Sequence, residues 1–372
     1  MNEELSEKTG RIVEMLEREC LDAVLLNARH NFAWLTCGGT NGVDTSRENG
    51  VATLMVTREG RRYVIANNIE TPRMLAEEVP NAHFEPLSFT WQAEKADGGT
   101  VSKTALSVLR PGAAIAADID IGGGVPTIEG KVAACRHRLT ADEAVRFRRL
   151  GSDAGAAMRQ AINRFEPGDT EIAIAEKIRH ELASAGAVSV VTLAAADDRI
   201  KRFRHPVPTA NRWQRTLLTV TCARRGGLIV SLSRIVTLGT PDDELIRRTQ
   251  AAADVFAALR HATRPGTTGR ELYEAAERAY RAAGFPDEIG LHHQGGAAGY
   301  KTRDWVAHPS SGEAVKLGQA FAWNPSITGT KVEETCIVTE GGTDVVTASP
   351  DFPLIAAMIG EAEYLSPGIL SL

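Results

Sequence analysis

Features that would settle a protein's class quickly are scarce in this chain of 372 residues. The five cysteines (Cys20, Cys37, Cys135, Cys222, Cys336) are scattered, odd in number and never in C-x-x-C spacing. That pattern excludes a zinc finger or a disulfide framework. Apolar runs fall well short of the ~20 residues that a membrane span needs. The opening MNEELSEKTGRIVEMLERE is charged and amphipathic and has no apolar signal-peptide core. A cytoplasmic protein without a membrane partner is therefore expected. Positive charge is not in excess either: 42 Lys and Arg stand against 47 Asp and Glu, for a net charge of -5. This balance argues against a nucleic-acid partner. Neither repeats nor low-complexity segments occur, and GGTVSK is too short and badly spaced for a phosphate-binding loop.

What is present is an ordinary globular composition, 43% hydrophobic and 24% charged. At roughly 100–200 residues per domain the length suggests two domains, expected over residues 1–137 and 138–372. In the first, helical apolar spacing over 4–19 precedes the strand DAVLLN. VATLMV and RYVIAN flank the turn TREGR as a hairpin, NNIETPRMLAEEV reads as a helix and AAIAADI as a late strand. In the second, Thr140 with Glu143 has the spacing of a capping box opening a helix over about 141–165. A helix EIAIAEKIRHELASAG, ended by Gly186, follows. Strands VVTLAA, TLLTVTCA and LIVSLSRIVTLG precede the helices ELIRRTQAAADVFAALRHAT and GRELYEAAERAYRAAG, and QAFAWN, EETCIVT and DVVTA close the chain as strands. Paired helices between antiparallel strands predict an α+β layer architecture.

Three segments carry a resemblance. HHQGGAAGYKTRD (292–304) is similar to H-H-x-G-H-G-I-G-x-x-x-H-E. QAFAWNPSITGTKVEETCIVT is similar to G-M-x-F-T-I-E-P-G followed by R-I-E-D-T-V-L-V-T. TLLTVTCARRGGLIVSLSRIVTLG is similar to the stretch with two aspartates eleven residues apart that ends in R-T-F-x-x-G. In this order, after a matching first domain, they resemble the pita-bread superfamily of creatinase, aminopeptidase P, prolidase and methionine aminopeptidase. The resemblance implies a creatinase-like N-terminal α/β domain and a C-terminal domain of antiparallel sheet with paired helices.

It also implies where two divalent ions would sit, held in the metallopeptidases by two Asp, one His and two Glu. Val220 and Ser231 fall on the Asp positions, Gly296 on the His position and Asn324 on the first Glu position; only Glu333 keeps its ligand. One carboxylate cannot offset the cost of dehydrating two dications about 3.5–4 Å apart. No metal cofactor, and no other cofactor, is expected.

The residues that remain resemble those of creatinase, the metal-free branch. GYKTRD is similar to its G-V-E-L-R-E and puts Arg303 on a substrate-gripping arginine, suited to holding a carboxylate by charge-assisted hydrogen bonds, although it could instead pair with Asp304 or Glu333 as a structural ion pair. Glu333 matches one creatinase active-site Glu; the other falls on Ser233. His205 falls on a catalytic His beside the family's metals and could move a proton at neutral pH, although a lone His beside Pro206 more often only packs a loop. Of His292 and His293, one should face the pocket and the other pack behind it, and family position favours His292. Alternation along the strand should likewise point only one of Glu333 and Glu334 inward, with Glu333 favoured. Asn324 would be a neutral hydrogen-bonding group beside it. Cys222 beside Arg224 could be a nucleophile but reads better as a core thiol. Arg47, in TSRENGV, lies near where creatinase presents an arginine to the neighbouring subunit, which would imply a homodimer.

The expected activity is metal-independent, creatinase-like hydrolysis of a C–N bond in a small carboxylate-bearing substrate, amino-acid-like or guanidino. His205, Glu333 and His292 would do the chemistry, and Arg303, Asn324 and Arg47 would bind. Two alternatives stand beside it: a non-catalytic pseudo-peptidase that binds peptide or protein, and an Xaa-Pro aminopeptidase or dipeptidase that keeps its activity.

Overall fold

A computed structural model describes residues 3–79 and 83–372. The chain divides into two compact units, Met1–Asp142 with Gly226–Leu228, and Glu143–Arg225 with Ile229–Leu372.

The first unit opens with the helix Glu3–Arg18, which buries Leu5, Ile12, Met15 and Leu16 at helical spacing. Its five-stranded sheet contains β1 (Ala23–Ala28), β2 (Asn49–Thr57), β3 (Arg62–Asn67), β4 (Glu85–Phe89) and β5 (Ile115–Ala117), in the order β4-β3-β2-β1-β5. The expected hairpin pairs β2 with β3 antiparallel, Thr53 opposite Ile65. Leu25, Met55, Tyr63, Ile65 and Ala117 fill one face. The helix expected over NNIETPRMLAEEV starts late. The Asn67 side chain accepts from the backbone N–H groups of Ile69 and Glu70 and holds them in a turn. Helix begins only at Thr71, with Pro72 in its first turn, and passes into one π turn at Met74–Glu78.

The second unit carries a four-stranded sheet and a five-stranded sheet. The first, in the order β18-β8-β7-β6, contains β6 (Val188–Ala196), β7 (Thr216–Arg225), β8 (Leu228–Thr237) and β18 (Ile369–Ser371). The second, in the order β10-β9-β11-β14-β15, contains β9 (Gly295–Ala298), β10 (Trp305–Val306), β11 (Ala320–Trp323), β14 (Glu334–Thr339) and β15 (Gly342–Val345). Two hairpins, β12 (Ser326–Ile327) with β13 (Thr330–Lys331) and β16 (Leu354–Ile359) with β17 (Ala362–Pro367), complete it.

Helices Asp243–Ala262 and Gly269–Ala282 cover the five-stranded sheet, packing Phe256, Leu259, Leu272 and Tyr280 with Trp305, Phe321 and Trp323. Truncating a buried Phe such as Phe256 to Ala would cost about 3–5 kcal/mol. A complete capping box starts the second of these helices, Thr268 with Glu271. These helices fix β9, β11 and the chain around Glu333, the frame on which the polar cluster below is built.

Candidate active site

Five segments of the second unit supply one polar cluster. The loop after β6 brings Arg204 and His205, and β8 brings Ser231 and Ser233. The segment 292–303 brings His292, His293 and Arg303; Asn324 follows β11, and Lys331 with Glu333 closes the β12–β13 hairpin.

Arg204 positions the first histidine. Its guanidinium pairs with Glu288 and bonds Thr328 Oγ1 at 2.9 Å, which ties the 203–208 loop to the 3₁₀ turn Pro286–Leu291 just before His292. His205 Nε2 then stands 3.0 Å from His292 Nε2, so one imidazole donates and the other accepts. From the other side, Tyr280 Oη donates to Gln294 Oε1 at 2.6 Å, and the Gln294 amide donates to the His292 carbonyl.

His293 was expected behind the site, and this is corrected: its ring stacks on His292 at 4.4 Å and lies 6.0 Å from that of His205. Mainly by burial, with the positive charge of Lys331 next, His292 is pushed down to about 2. Burial and Arg303 push His293 down to about 4, and His205 is lowered for the same leading reason. All three shifts favour the neutral imidazole, most firmly at the half-buried His292, since His205 and His293 are more than a third exposed.

Arg303 Nη2 donates to Asn324 Oδ1 at 3.0 Å and to Glu333 Oε1 at 3.4 Å, and Nη1 reaches Ser231 Oγ at 3.4 Å. Lys331 Nζ lies 3.0 Å from Glu333 Oε2, a charge contact outside hydrogen-bond geometry. Glu333 is thus held between two cations. Arg303 Nε, Glu333 Oε2 and Ser233 Oγ are all buried without a hydrogen-bond partner. Two of these, Arg303 Nε and Ser233 Oγ, have no charge partner either and point to a polar ligand, because an unsatisfied buried group costs about 1–3 kcal/mol. Glu334, as alternation required, turns the other way, to Arg234 at 2.8 Å.

The family's paired metals do not fit these residues. Val220 is packed among Leu193, Ala195, Leu218 and Ile235. Ser231 Oγ donates to Cys222 Sγ at 3.2 Å, and burial raises that thiol above its ordinary range, so Cys222 is no activated nucleophile. Gly296 lies on β9, squeezed between neighbours: a Cβ there would stand 2.1 Å from the Trp305 carbonyl oxygen, leaving no space for a ligating side chain. Arg303 and Lys331 supply positive charge where the resemblance implies metal.

A single ion is a different matter. The donor nitrogens of His205, His292 and His293 lie within 4.8 Å of one another, the one such cluster among the described residues. Bonds of about 2.0–2.1 Å need donors roughly 3–3.5 Å apart. The His205–His292 pair stands at 3.0 Å, and the positive charge of Lys331, which lowers His292, disfavours a dication there.

Arg47 belongs to the first unit. Its side chain is exposed, pairs with Asp44 at 3.4 Å and lines a surface cleft of about 560 Å³ with Asn49, Glu94, Lys95 and Asp120. Lys331 was missed by the sequence reading, although its signal was present: in an extended segment Lys331 and Glu333, two residues apart, share a face.

The two layers of sheet and helix and the position of this cluster define a protein of the pita-bread superfamily. The profile of metallopeptidase family M24 matches residues 146–340, and the chain belongs to that family. It is 26% identical to an uncharacterized peptidase, YqhT, of Bacillus subtilis over 211 residues, 53% of this chain and 58% of that one. An Xaa-Pro dipeptidase of Pyrococcus furiosus is 24% identical over 204 residues, 52% of this chain and 58% of the relative. The chain thus matches a little over half the length of these curated relatives. The fold of a dipeptidase PepE from Mycobacterium ulcerans superimposes with a TM-score of 0.78, at 16% identity, over 99% of this chain and 98% of that one. No described helix is long and apolar enough to cross a membrane.

Proposed function

We propose that this protein is a hydrolase that cleaves a C–N bond of a small, carboxylate-bearing substrate without the paired-metal centre of its family. The observation that carries this reading is the Arg303–Glu333–Lys331 arrangement, which puts fixed cations and unsatisfied donors where the resemblance implies metal. Arg303, through its unpartnered Nε–H, anchors the carboxylate. Glu333 Oε2 accepts a hydrogen bond from the attacking water, and Asn324 holds Arg303 in place. The His205–His292 pair moves the proton: His205, the more exposed ring, accepts it from water and returns it to the leaving nitrogen, while neutral His292 orients that ring. A homodimer in which Arg47 reaches the neighbouring subunit's site belongs to the same reading.

The test is turnover and binding across N-acyl amino acids, guanidino acids and Xaa-Pro dipeptides. Arg303→Met should weaken carboxylate ligands by about 10–100-fold, the range of a charged hydrogen bond, and Arg303→Lys should recover little of it. Unchanged affinity in Arg303→Met would refute the anchor.

The family match also favours a second reading, an Xaa-Pro peptidase. It requires turnover of Xaa-Pro dipeptides and its loss on chelation. The emptied ligand positions count against it.

A further inference from the structure

The charges of the site restrict what its ligand can carry. Glu333 is its acid, and it is already flanked by Arg303 at 3.4 Å and by Lys331 at 3.0 Å. Glu288, the nearby carboxylate, is taken by Arg204. The imidazoles of His205, His292 and His293 add no negative charge in either protonation state. One positive charge is therefore left in excess in the cluster, and among the described residues that form it no carboxylate is left to receive an ammonium or guanidinium group. A zwitterion placed here would set its cation against Lys331 and Arg303 in a poorly hydrated setting, where like charges a few ångströms apart repel strongly. A ligand with one carboxylate and an uncharged nitrogen meets no such repulsion.

We infer that the site takes N-acylated amino acids, monoanions whose nitrogen is an amide, and that Lys331 is a second charge-selecting residue that disfavours zwitterionic dipeptides and guanidino acids. This rests on the hydrolase reading above and narrows its substrate class. The amide carbonyl carbon takes the water oxygen, the C–N bond breaks, and the nitrogen keeps the electron pair and receives a proton. The products are a carboxylate and a free amino acid. Glu333, its charge already offset, orients the water and has no ammonium group to hold. Lys331 belongs here by geometry: the tight β12–β13 turn at Gly329 folds it back so that its Nζ reaches the inner face of Glu333. Its side chain is only 5% exposed, so its charge is directed at the site and screened little by solvent.

The test is calorimetric binding at pH 7.5 of N-acetyl-L-leucine and N-acetyl-L-proline against L-leucyl-L-proline, glycyl-L-proline, creatine and N-acetyl-L-prolinamide. The two N-acetyl amino acids should bind at least tenfold more tightly than the zwitterions and the amide. Lys331→Met should weaken the N-acetyl acids at least fivefold and narrow their advantage over zwitterions, whereas Lys331→Arg should keep both. Circular dichroism and the melting temperature of the two variants separate lost charge from lost fold. Zwitterions that bind as tightly as the N-acetyl acids, or a preference unchanged in a folded Lys331→Met, would overturn the inference alone, provided that Arg303→Met still weakens binding at least tenfold. If no carboxylate binds at all, or if binding ignores Arg303, the hydrolase reading falls with it.

Discussion

Gly296 and Trp305 stand so close that a Cβ on the glycine would lie 2.1 Å from the tryptophan carbonyl oxygen. In the metallopeptidases the corresponding residue is expected to be a histidine that binds metal. Here Gly296 pairs opposite Val306 between the backbones of β9 and β10, so any side chain at this position would force those backbones to shift. The loss is therefore built into the backbone and is more than a change of side chain.

Restoring the ligand should fail. Gly296→His is expected to destabilise the protein by about 2–3 kcal/mol through overpacking, lowering the melting temperature by about 3–4 °C for a chain of this size. It should not gain manganese or cobalt binding. A thermal melt with and without added metal checks both.

His292 should make stability pH-dependent. Its folded value of about 2 lies below the ~6.5 of an unfolded histidine. As pH falls below ~6.5 the unfolded chain takes up a proton that the folded chain refuses, so stability present above ~6.5 is lost progressively on acidification. Between pH 6.5 and 5 the loss from this residue is at most about 2 kcal/mol. His292→Gln should flatten the fall in melting temperature over that window relative to wild type. A parallel fall would contradict the burial argument.

Tyr280 should act on the chemistry from a distance. Its hydroxyl bonds Gln294 and Ser326, and Gln294 holds the His292 carbonyl. Tyr280→Phe leaves buried partners unsatisfied and should cost about 1–3 kcal/mol in chemical denaturation. If it positions His292, kcat should drop with KM little changed, and the pH profile of kcat should shift. A loss of stability alone would leave it a purely structural residue.

Arg47 offers a test of the homodimer. If it serves a neighbour's site, Arg47→Ala and His205→Ala, each nearly inactive, should recover up to about a quarter of wild-type activity when unfolded, mixed and refolded together, since statistical mixing leaves one intact composite site in half of the dimers. No recovery, or a monomer by light scattering, removes Arg47 from the mechanism.

Sequence periodicity located most helices because amphipathic spacing reports burial directly. Glu3–Arg18 and Asp243–Ala262 lie within a residue or so of where that spacing placed them. It missed β9, whose residues are Gly295, Gly296, Ala297 and Ala298. That strand exists through close backbone approach, Gly295 having a φ of +107°, and such contacts leave no mark in β-propensity. The β16–β17 hairpin was also missed, since its strands are largely exposed and show little alternation. In the site, motif position singled out His205, His292, Arg303, Asn324 and Glu333, and the structure brings these five together. Motif position did not single out Lys331, which only its two-residue spacing from Glu333 hints at, nor the stacking of His293 beside His292.

On the proposed reading, Arg303 and Lys331 stand in for a pair of metal ions around Glu333. Elemental analysis of the purified protein, after incubation with manganese, cobalt and zinc and exhaustive dialysis, tests it most directly, with turnover measured on the same samples. No bound pair is expected, and turnover should be indifferent to metal removal. Two tightly held ions per chain, lost in Glu333→Gln and required for turnover, would contradict it.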